Sequence, residues 1–194
     1  MNRIIYLMGK SSTGKDTIFK KLLADDTLAL KTVVPYTTRP IRNGEKNGVE
    51  YFFTDEEGYQ KFLAEGKIIE ARAYDTYHGI WRYFMVDDGQ IEADGPDCIM
   101  IGTLEAYEQM KTYFGAERLL PVLIELDDGV RLQRALSRER HQQHPKYEEL
   151  CRRFLADSVD FSEEKITAAG ITKRFENNDL KHCLEEIRAY IKAK

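Results

Sequence analysis

The chain contains few cysteines, and their arrangement suggests neither a disulfide framework nor a zinc site. The three of them, Cys98, Cys151 and Cys183, are odd in number, widely spaced and outside any C-x-x-C pair. Disulfide-stapled folds and zinc sites use paired, closely spaced cysteines. The four histidines are scattered as well. We therefore expect buried or incidental thiols and no metal site built from cysteine or histidine.

Long apolar runs and an excess of positive charge are also lacking. No stretch approaches the roughly 18 consecutive apolar residues of a membrane span, and the N-terminal residues lead directly into a strand-like segment instead of a signal peptide. The 29 lysines and arginines are outnumbered by 33 acidic residues, so a broad basic surface for nucleic acid is not expected. We expect a cytoplasmic protein that binds neither membranes nor nucleic acid and whose anion sites are local.

Short apolar segments alternate with amphipathic helical patterns along the chain. Its 194 residues, 42% of them hydrophobic, are enough to bury one substantial core. This alternation is typical of an α/β fold in which helices cover a parallel sheet. The predicted strands are residues 3–8, 30–34, 97–101, 119–126 and 173–176. The predicted helices are residues 16–23, 55–65, 86–93, 104–113, 128–138, 147–157 and 180–192.

Two segments interrupt the alternation. One is rich in turns, charges and aromatic residues and contains one predicted helix, which Thr54 and Glu57 introduce at capping-box spacing. The other, RERHQQHPK, is polar, as a mobile surface loop would be. We therefore predict one domain over residues 1–194. Its predicted parts are a core of residues 1–35, 84–137 and 147–194, an inserted subdomain of residues 36–83 and a lid of residues 138–146.

A glycine-rich segment with the pattern G-x-x-x-x-G-K lies between the first predicted strand and the first predicted helix. Gly9 and Gly14 permit backbone angles and a close approach that side chains would block, so successive N–H groups and the helix N-terminus can point at phosphate oxygens. Lys15 adds a mobile positive charge near the terminal phosphates. We predict a P-loop for ATP. Its predicted ligands are Gly9, Ser11, Ser12, Thr13, Gly14, Lys15, Asp16 and Thr17.

The residue after Lys15 departs from the usual motif. A serine or threonine normally follows, and its hydroxyl holds Mg²⁺, whereas this chain has Asp16 and then Thr17. In one interpretation Asp16 faces solvent at the helix N-terminus, where its charge suits the helix dipole, and Thr17 supplies the hydroxyl. In the other, Asp16 approaches the metal directly or through water. Both interpretations imply Mg²⁺ as the cofactor that accompanies ATP.

The inserted segment begins with TTRPIRNGEKNGVEYF, residues 37–52. Two guanidinium groups three residues apart and a phenolic hydroxyl suit a dianionic monophosphate. With the P-loop before it, this pattern resembles the guanylate kinase family over most of the chain. The resemblance implies a three-layer P-loop NTPase fold and phosphoryl transfer from ATP to a nucleoside monophosphate, with GMP or dGMP as the leading acceptor. It also implies that Arg39, Arg42 and Tyr51 hold the acceptor phosphate.

The resemblance also assigns residues to the acceptor base, and here the chain differs from the family. Glu70 matches the acidic residue that accepts hydrogen bonds from guanine, and Tyr77, His78 and Gly79 match the family's Y-Y-G turn, which is one residue shorter here. Thr103 stands where the family carries aspartate. The positions of changed type are Pro35, His78, Ile80 and Thr103. When a site loses groups that donate to or accept from the base, its selectivity between bases changes more than its affinity for the phosphate. The sequence therefore identifies the acceptor as a monophosphate more firmly than it identifies the base.

Arginines cluster around the predicted lid, on the helix before it and the helix after it. By resemblance, Arg134, Arg138 and Arg153 clamp the transferring phosphates, and with Lys15 and Arg39 they form the predicted catalytic set. Positioned cations supply much of the catalysis in phosphoryl transfer. The alternative is a set of ordinary solvated arginines.

The turn Glu176-Asn177-Asn178-Asp179-Leu180 resembles a family turn near the adenine of the donor, which makes Asn177 a predicted ATP ligand. In this turn Asp179 or Asn178 can serve as the N-cap of the last helix instead.

Two other functions remain open from the sequence. One is a non-catalytic binding module that uses the acceptor cleft for a peptide; the retained Lys15 and lid arginines favour an enzyme instead. The other is a P-loop kinase with a different phosphorylated acceptor. The oligomeric state, monomer or small homo-oligomer, is not defined by the sequence.

Overall fold

The computed structural model describes residues 2–76 and 79–194. The strands are β1 Ile4–Met8, β2 Lys31–Thr32, β3 Tyr36–Thr37, β4 Phe52–Phe53, β5 Ile68–Thr76, β6 Gly79–Val86, β7 Cys98–Ile101, β8 Leu119–Glu125 and β9 Arg174–Glu176. The helices are α1 Lys15–Leu23, α2 Glu56–Ala64, α3 Leu104–Phe114, α4 Asp128–Arg140, α5 Tyr147–Asp160, α6 Glu163–Ala168 and α7 Leu180–Ala193.

The larger sheet is parallel, with the strand order β2-β7-β1-β8-β9. All five residues of its central strand, β1, are buried, as expected of a strand covered on both faces. Because side chains alternate along a strand, Tyr6 packs with α3 and α6 in one core, and Leu7 packs with α1 and α7 in the other. The predicted α/β layering is confirmed.

A smaller sheet of order β4-β3-β6-β5 lies within residues 36–86, a range that contains the whole predicted insert and extends three residues beyond it. Its core contains Tyr59 of α2 together with Phe84 and Val86 of β6. Sequence patterns predicted the helix but not these strands. The cap was also assigned wrongly, because Asp55 rather than Thr54 is the N-cap of α2 and accepts a hydrogen bond from Gly58 N at 2.8 Å.

The predicted helix over residues 86–93 is wrong. Val86 ends β6, and bends and turns follow up to β7. Gly89 has a φ of 85°, which is left-handed and incompatible with a continuing right-handed helix. The Gln90 side chain instead bonds to both backbone polar groups of Val34, at 2.8 Å to N and 3.1 Å to O. These bonds tie the segment to the connection between β2 and β3.

Other boundaries differ more modestly. The predicted strand 30–34 shortens to β2, α4 continues to Arg140 in the predicted lid, and α6 is an additional helix. Ser162 caps α6 by accepting from Lys165 N at 3.4 Å. Cys98 and Cys183 are buried and Cys151 is exposed, all as free thiols. Within residues 2–76 and 79–194, none of the helices is long and apolar enough to cross a membrane.

Candidate active site

The glycine-rich loop joins β1 to α1, and both of its glycines are required by geometry. Gly9 has a φ of 148° and Gly14 a φ of 93°. A methyl group at Gly9 would lie 2.3 Å from the carbonyl oxygen of Ile124, and one at Gly14 would lie 2.4 Å from Nδ2 of Asn177. Larger residues are therefore excluded by space as well as by backbone conformation. The Thr13 hydroxyl closes the loop by donating to the carbonyl oxygen of Lys10 at 2.9 Å.

Asn177 follows β9 and bonds to the backbone of this loop. Its side-chain Nδ2 donates to the carbonyl oxygen of Thr13 at 2.7 Å, and its backbone N donates to Glu125 O at 2.9 Å. Its Oδ1 is buried and has no hydrogen-bond partner among the residues that the structure describes. Asn177 therefore positions the loop and keeps one free acceptor. Asp179, not Asn178, caps α7 by accepting from His182 N.

Lys15 begins α1 and points back along the loop, with Nζ 3.3 Å from the carbonyl oxygen of Lys10. Burial lowers the pKa of Lys15; the carboxylates of Asp16 and Asp157 oppose this shift, and nearby arginines add to it. A partly desolvated ammonium group interacts strongly with an incoming anion because little water screens it.

The three arginines predicted to clamp phosphates all lie beside the loop. An Nη of Arg138 on α4 is 3.3 Å from Ser12 Oγ, and an Nη of Arg153 on α5 is 3.4 Å from Ser11 Oγ. An Nη of Arg134 would lie 3.9 Å from a methyl group placed at Gly14. All three side chains are exposed. Two helices therefore bring positive charge to the mouth of the loop.

Arg131 is a residue whose position the sequence did not reveal. It is 1% exposed, bonds to Asp128 on its own helix at 2.7 Å, and donates to the carbonyl oxygen of Ser11 at 2.9 Å. It also lies 3.3 Å from Asp157 of α5, whose carboxylate accepts from Ser11 N at 2.8 Å. Only the i,i+3 pair with Asp128 was visible in the sequence. This network docks α4 and α5 onto the loop.

A second concentration of positive charge lies in the insert. Arg39 is 3% exposed and forms a bidentate pair with Glu45, at 2.6 and 2.8 Å. The rings of Tyr51 and Phe53 lie 5.2 and 5.4 Å from its guanidinium carbon. The hydrogen bond from Arg39 lowers the pKa of Glu45 and raises the pKa of Arg39. Glu45 was not assigned a role from the sequence, although it belongs to the R-x-x-R-x-G-E pattern.

Arg42 is exposed, and its backbone N donates to Glu45 at 2.8 Å. A hydrogen bond from Arg152 is the main cause of the lowered pKa of Glu149 on α5, and the charges of Arg153 and Arg42 contribute to it.

The predicted base-binding residues Glu70 and Thr103 are brought together by Arg72, which the sequence did not indicate. The guanidinium group of Arg72 lies 3.0 and 3.2 Å from the two oxygens of Glu70 and donates to Thr103 Oγ1 at 3.2 Å. Thr103 also caps α3 by accepting from Ala106 N, and its carbonyl oxygen accepts from the Tyr6 hydroxyl. Burial raises the pKa of Glu70, and Arg72 opposes the shift.

Of the remaining predicted acceptor residues, Gly79 begins β6 with a φ of 98°, and Tyr77 and His78 lie outside the described residues. Two other positions that differ in residue type from the family are also described. Ile80 is 55% exposed, and the carbonyl oxygen of Pro35 accepts a hydrogen bond from Phe52 N.

For the metal, Asp16 and Thr17 are both exposed on the first turn of α1. No group of three or more His, Cys, Asp or Glu residues that could hold a metal ion occurs in the described part of the chain. Mg²⁺ in kinases is held largely by substrate phosphates and water, with one or two protein oxygens. The exposed oxygens of Asp16 and Thr17 therefore fit a Mg²⁺ ion that arrives with a nucleotide.

A parallel sheet with a glycine-rich phosphate loop after its central strand defines a P-loop nucleotide-binding protein. The family model for guanylate kinase matches residues 1–194. A guanylate kinase from Symbiobacterium thermophilum is 30% identical over 195 residues, covering 98% of this chain and 84% of that protein. One from Porphyromonas gingivalis is 29% identical, covering 98% of this chain and 97% of that protein. This chain belongs to the guanylate kinase family.

The fold is shared with a crystal structure of guanylate kinase from Anaplasma phagocytophilum. The TM-score is 0.63 at 21% identity, covering 99% of this chain and 85% of that chain. The predicted fold class and the family resemblance are therefore confirmed.

Proposed function

We propose that this protein is an ATP-dependent guanylate kinase, which transfers the terminal phosphoryl group of ATP to GMP or dGMP to give ADP and the nucleoside diphosphate. The observation that carries the proposal is the convergence of arginines from α4 and α5 on the same phosphate loop. A nucleotide-binding loop without chemistry would not need them.

In the donor site, Lys15 and the backbone N–H groups of the loop bind the phosphate chain of ATP, except for the N–H of Ser11, which donates to Asp157 at 2.8 Å. Arg134, Arg138 and Arg153 neutralise negative charge on the phosphoryl group in transit, and Asn177 keeps the loop in shape through Thr13. Mg²⁺ bound with ATP supplies further neutralisation of the phosphate oxygens, and Asp16 or Thr17 would hold it.

In the acceptor site, Arg39, Arg42 and Tyr51 hold the monophosphate. Arg39 is already fixed by Glu45, so its remaining donors are oriented before the ligand arrives, and less entropy is lost on binding. Arg42 is exposed and adds a mobile charge. A general base is not required, because the attacking phosphate oxygen is already an anion. Positioning and charge neutralisation therefore account for most of the rate enhancement.

Purified protein incubated with ATP·Mg²⁺ and each of GMP, dGMP, AMP, UMP and CMP, with ADP release followed, tests the proposal. We expect turnover with GMP and dGMP. A strong preference for another monophosphate would contradict the acceptor assignment, and no turnover with any acceptor would contradict the kinase assignment.

Lys15→Ala provides a second test. We expect transfer to fall by at least about 100-fold, the typical effect of removing one preorganised transition-state contact. Thermal stability should be unchanged or slightly higher, because burial already disfavours the Lys15 ammonium. Lys20→Ala is the matched control, since Lys20 is exposed on the same helix. Equal activity of the two variants would contradict the donor-site assignment.

A further inference from the structure

Arg72 lies on β5 two residues after Glu70, on the same face of the strand. Its Nε is 3.0 Å from one oxygen of Glu70 and an Nη is 3.2 Å from the other. The side chains of Arg72 and Glu70 are 11% and 1% exposed. A bidentate charged pair is strong when water is excluded. Both oxygens of this carboxylate are therefore bound to a group of the protein itself.

Guanine would need the same edge of Glu70. Its ring N1–H and its 2-amino group form two parallel donors, the pattern that the guanidinium edge of Arg72 already presents. Displacing Arg72 would replace an ion pair, in which both partners are charged, with hydrogen bonds from a neutral base to the Glu70 carboxylate, so the attraction between opposite charges would be lost. It would also leave a poorly hydrated guanidinium without its partner, which is costly. Guanine is therefore a weak competitor for Glu70.

Arg72 is held in place by further contacts. It donates to Thr103 Oγ1 at 3.2 Å, and Thr103 is itself fixed as the N-cap of α3 and by the Tyr6 hydroxyl at 3.0 Å. Arg72 also lies near a residue predicted to bind the acceptor phosphate. It pairs across the smaller sheet with Tyr83 of β6, whose ring centroid lies 5.6 Å from that of Tyr51.

We propose that Arg72 is a specificity-determining residue. By occupying Glu70 it prevents this carboxylate from recognising the 2-amino group of the base, so the site does not distinguish GMP from IMP. IMP, which lacks only that amino group, binds about as tightly as GMP. The inference rests on the proposed function in one respect, namely that this cleft is the acceptor site.

Calorimetric titration of GMP and of IMP into the full chain, without ATP, tests the proposal. For the wild type we expect the two Kd values to agree within about threefold. In Arg72→Ala the freed Glu70 can accept both guanine donors, and a hydrogen bond to a charged group favours GMP over IMP by about 10- to 100-fold. Arg82→Ala is the matched control, because Arg82 lies on the neighbouring strand but pairs with Glu56. The ratio of the Kd values for GMP and IMP should be the same in Arg82→Ala as in the wild type.

Arg72→Lys tests the proposal if loss of the buried partner prevents the alanine variant from folding. A lysine keeps the positive charge but lacks the two parallel N–H donors of the guanidinium group, so it cannot bind both oxygens of Glu70 in the same way. The preference of this variant for GMP over IMP should therefore exceed that of the wild type. A wild type that prefers GMP more than about tenfold, or a preference that does not rise in any foldable Arg72 variant, would overturn the proposal. Nucleotide binding without ADP formation would contradict only the phosphotransfer activity, and the GMP to IMP ratio would still test Arg72.

Discussion

Replacing Gly102 with alanine perturbs the packing between the end of β7 and Tyr6 of β1. Gly102 follows β7, and its backbone N donates to Leu7 O of β1 at 3.0 Å. A methyl group at this position would lie 1.8 Å from the hydroxyl oxygen and 2.5 Å from Cζ of Tyr6. Tyr6 is fully buried in the central strand, and its hydroxyl donates to the carbonyl oxygen of Thr103. The ring must therefore move, and it has no space to enter.

The cost has two parts. Forcing an extra methyl group into a packed core costs about 1–3 kcal/mol, and loss of the hydrogen bond from Tyr6 to Thr103 adds about 1 kcal/mol. The free energy of unfolding should therefore fall by about 2–4 kcal/mol. This is a large share of the roughly 5–15 kcal/mol that stabilises a typical domain.

Urea denaturation of wild type and Gly102→Ala measures this difference. Gly95→Ala is the matched control, because a methyl group there meets Glu92 Cβ at an ordinary 3.4 Å. Adding Tyr6→Phe removes the closest clash, so the double variant should lose less stability than the sum of the two single variants. A change below about 0.5 kcal/mol in Gly102→Ala, or strict additivity in the double variant, would refute the packing argument.

Two further variants test other parts of the structure. Asn177→Asp replaces the donor that bonds Thr13 O with an acceptor, so we expect the KM for ATP to rise about tenfold, measured by steady-state kinetics with GMP saturating. Burial raises the pKa of Asp97, but hydrogen bonds from Arg3 outweigh this effect and leave the pKa below its usual range. The ionised Asp97 therefore stabilises the folded protein above about pH 4, the pKa of an unfolded aspartate. This contribution to the free energy of unfolding is lost as the pH falls through the lower pKa of Asp97 in the folded state. Asp97→Asn should therefore be less stable than wild type near pH 7, and the gap should narrow in urea titrations below about pH 4.

The glycine-rich loop was predictable because its information is local in the sequence. Gly9, Gly14 and Lys15 are specified by one short motif, and β1 before them is an unbroken apolar run. The lid arginines were found through the family resemblance, and the structure places them beside the loop. What could not be predicted is the pairing of Arg131 with Asp157, 26 residues away.

The contacts of Glu70 and Thr103, which are predicted to bind the acceptor base, were less predictable because they join distant segments. Arg72 lies 31 residues from Thr103, and nothing in the pattern around Glu70 indicates that its carboxylate is already paired. The wrong helix over residues 86–93 has a different cause. Apolar spacing alone favoured a helix there, whereas Gly89 and the bonds from Gln90 to Val34 favour a loop.

We propose that two phosphate-binding sites, one on the glycine-rich loop and one at Arg39 and Arg42, face each other across a single cleft. The most direct test is equilibrium binding of an adenosine and a guanosine joined by a pentaphosphate chain, compared with ATP and GMP alone. If both sites are engaged together, the linked compound should bind at least about 100-fold more tightly than either nucleotide. Binding no tighter than that of ATP alone would contradict the account.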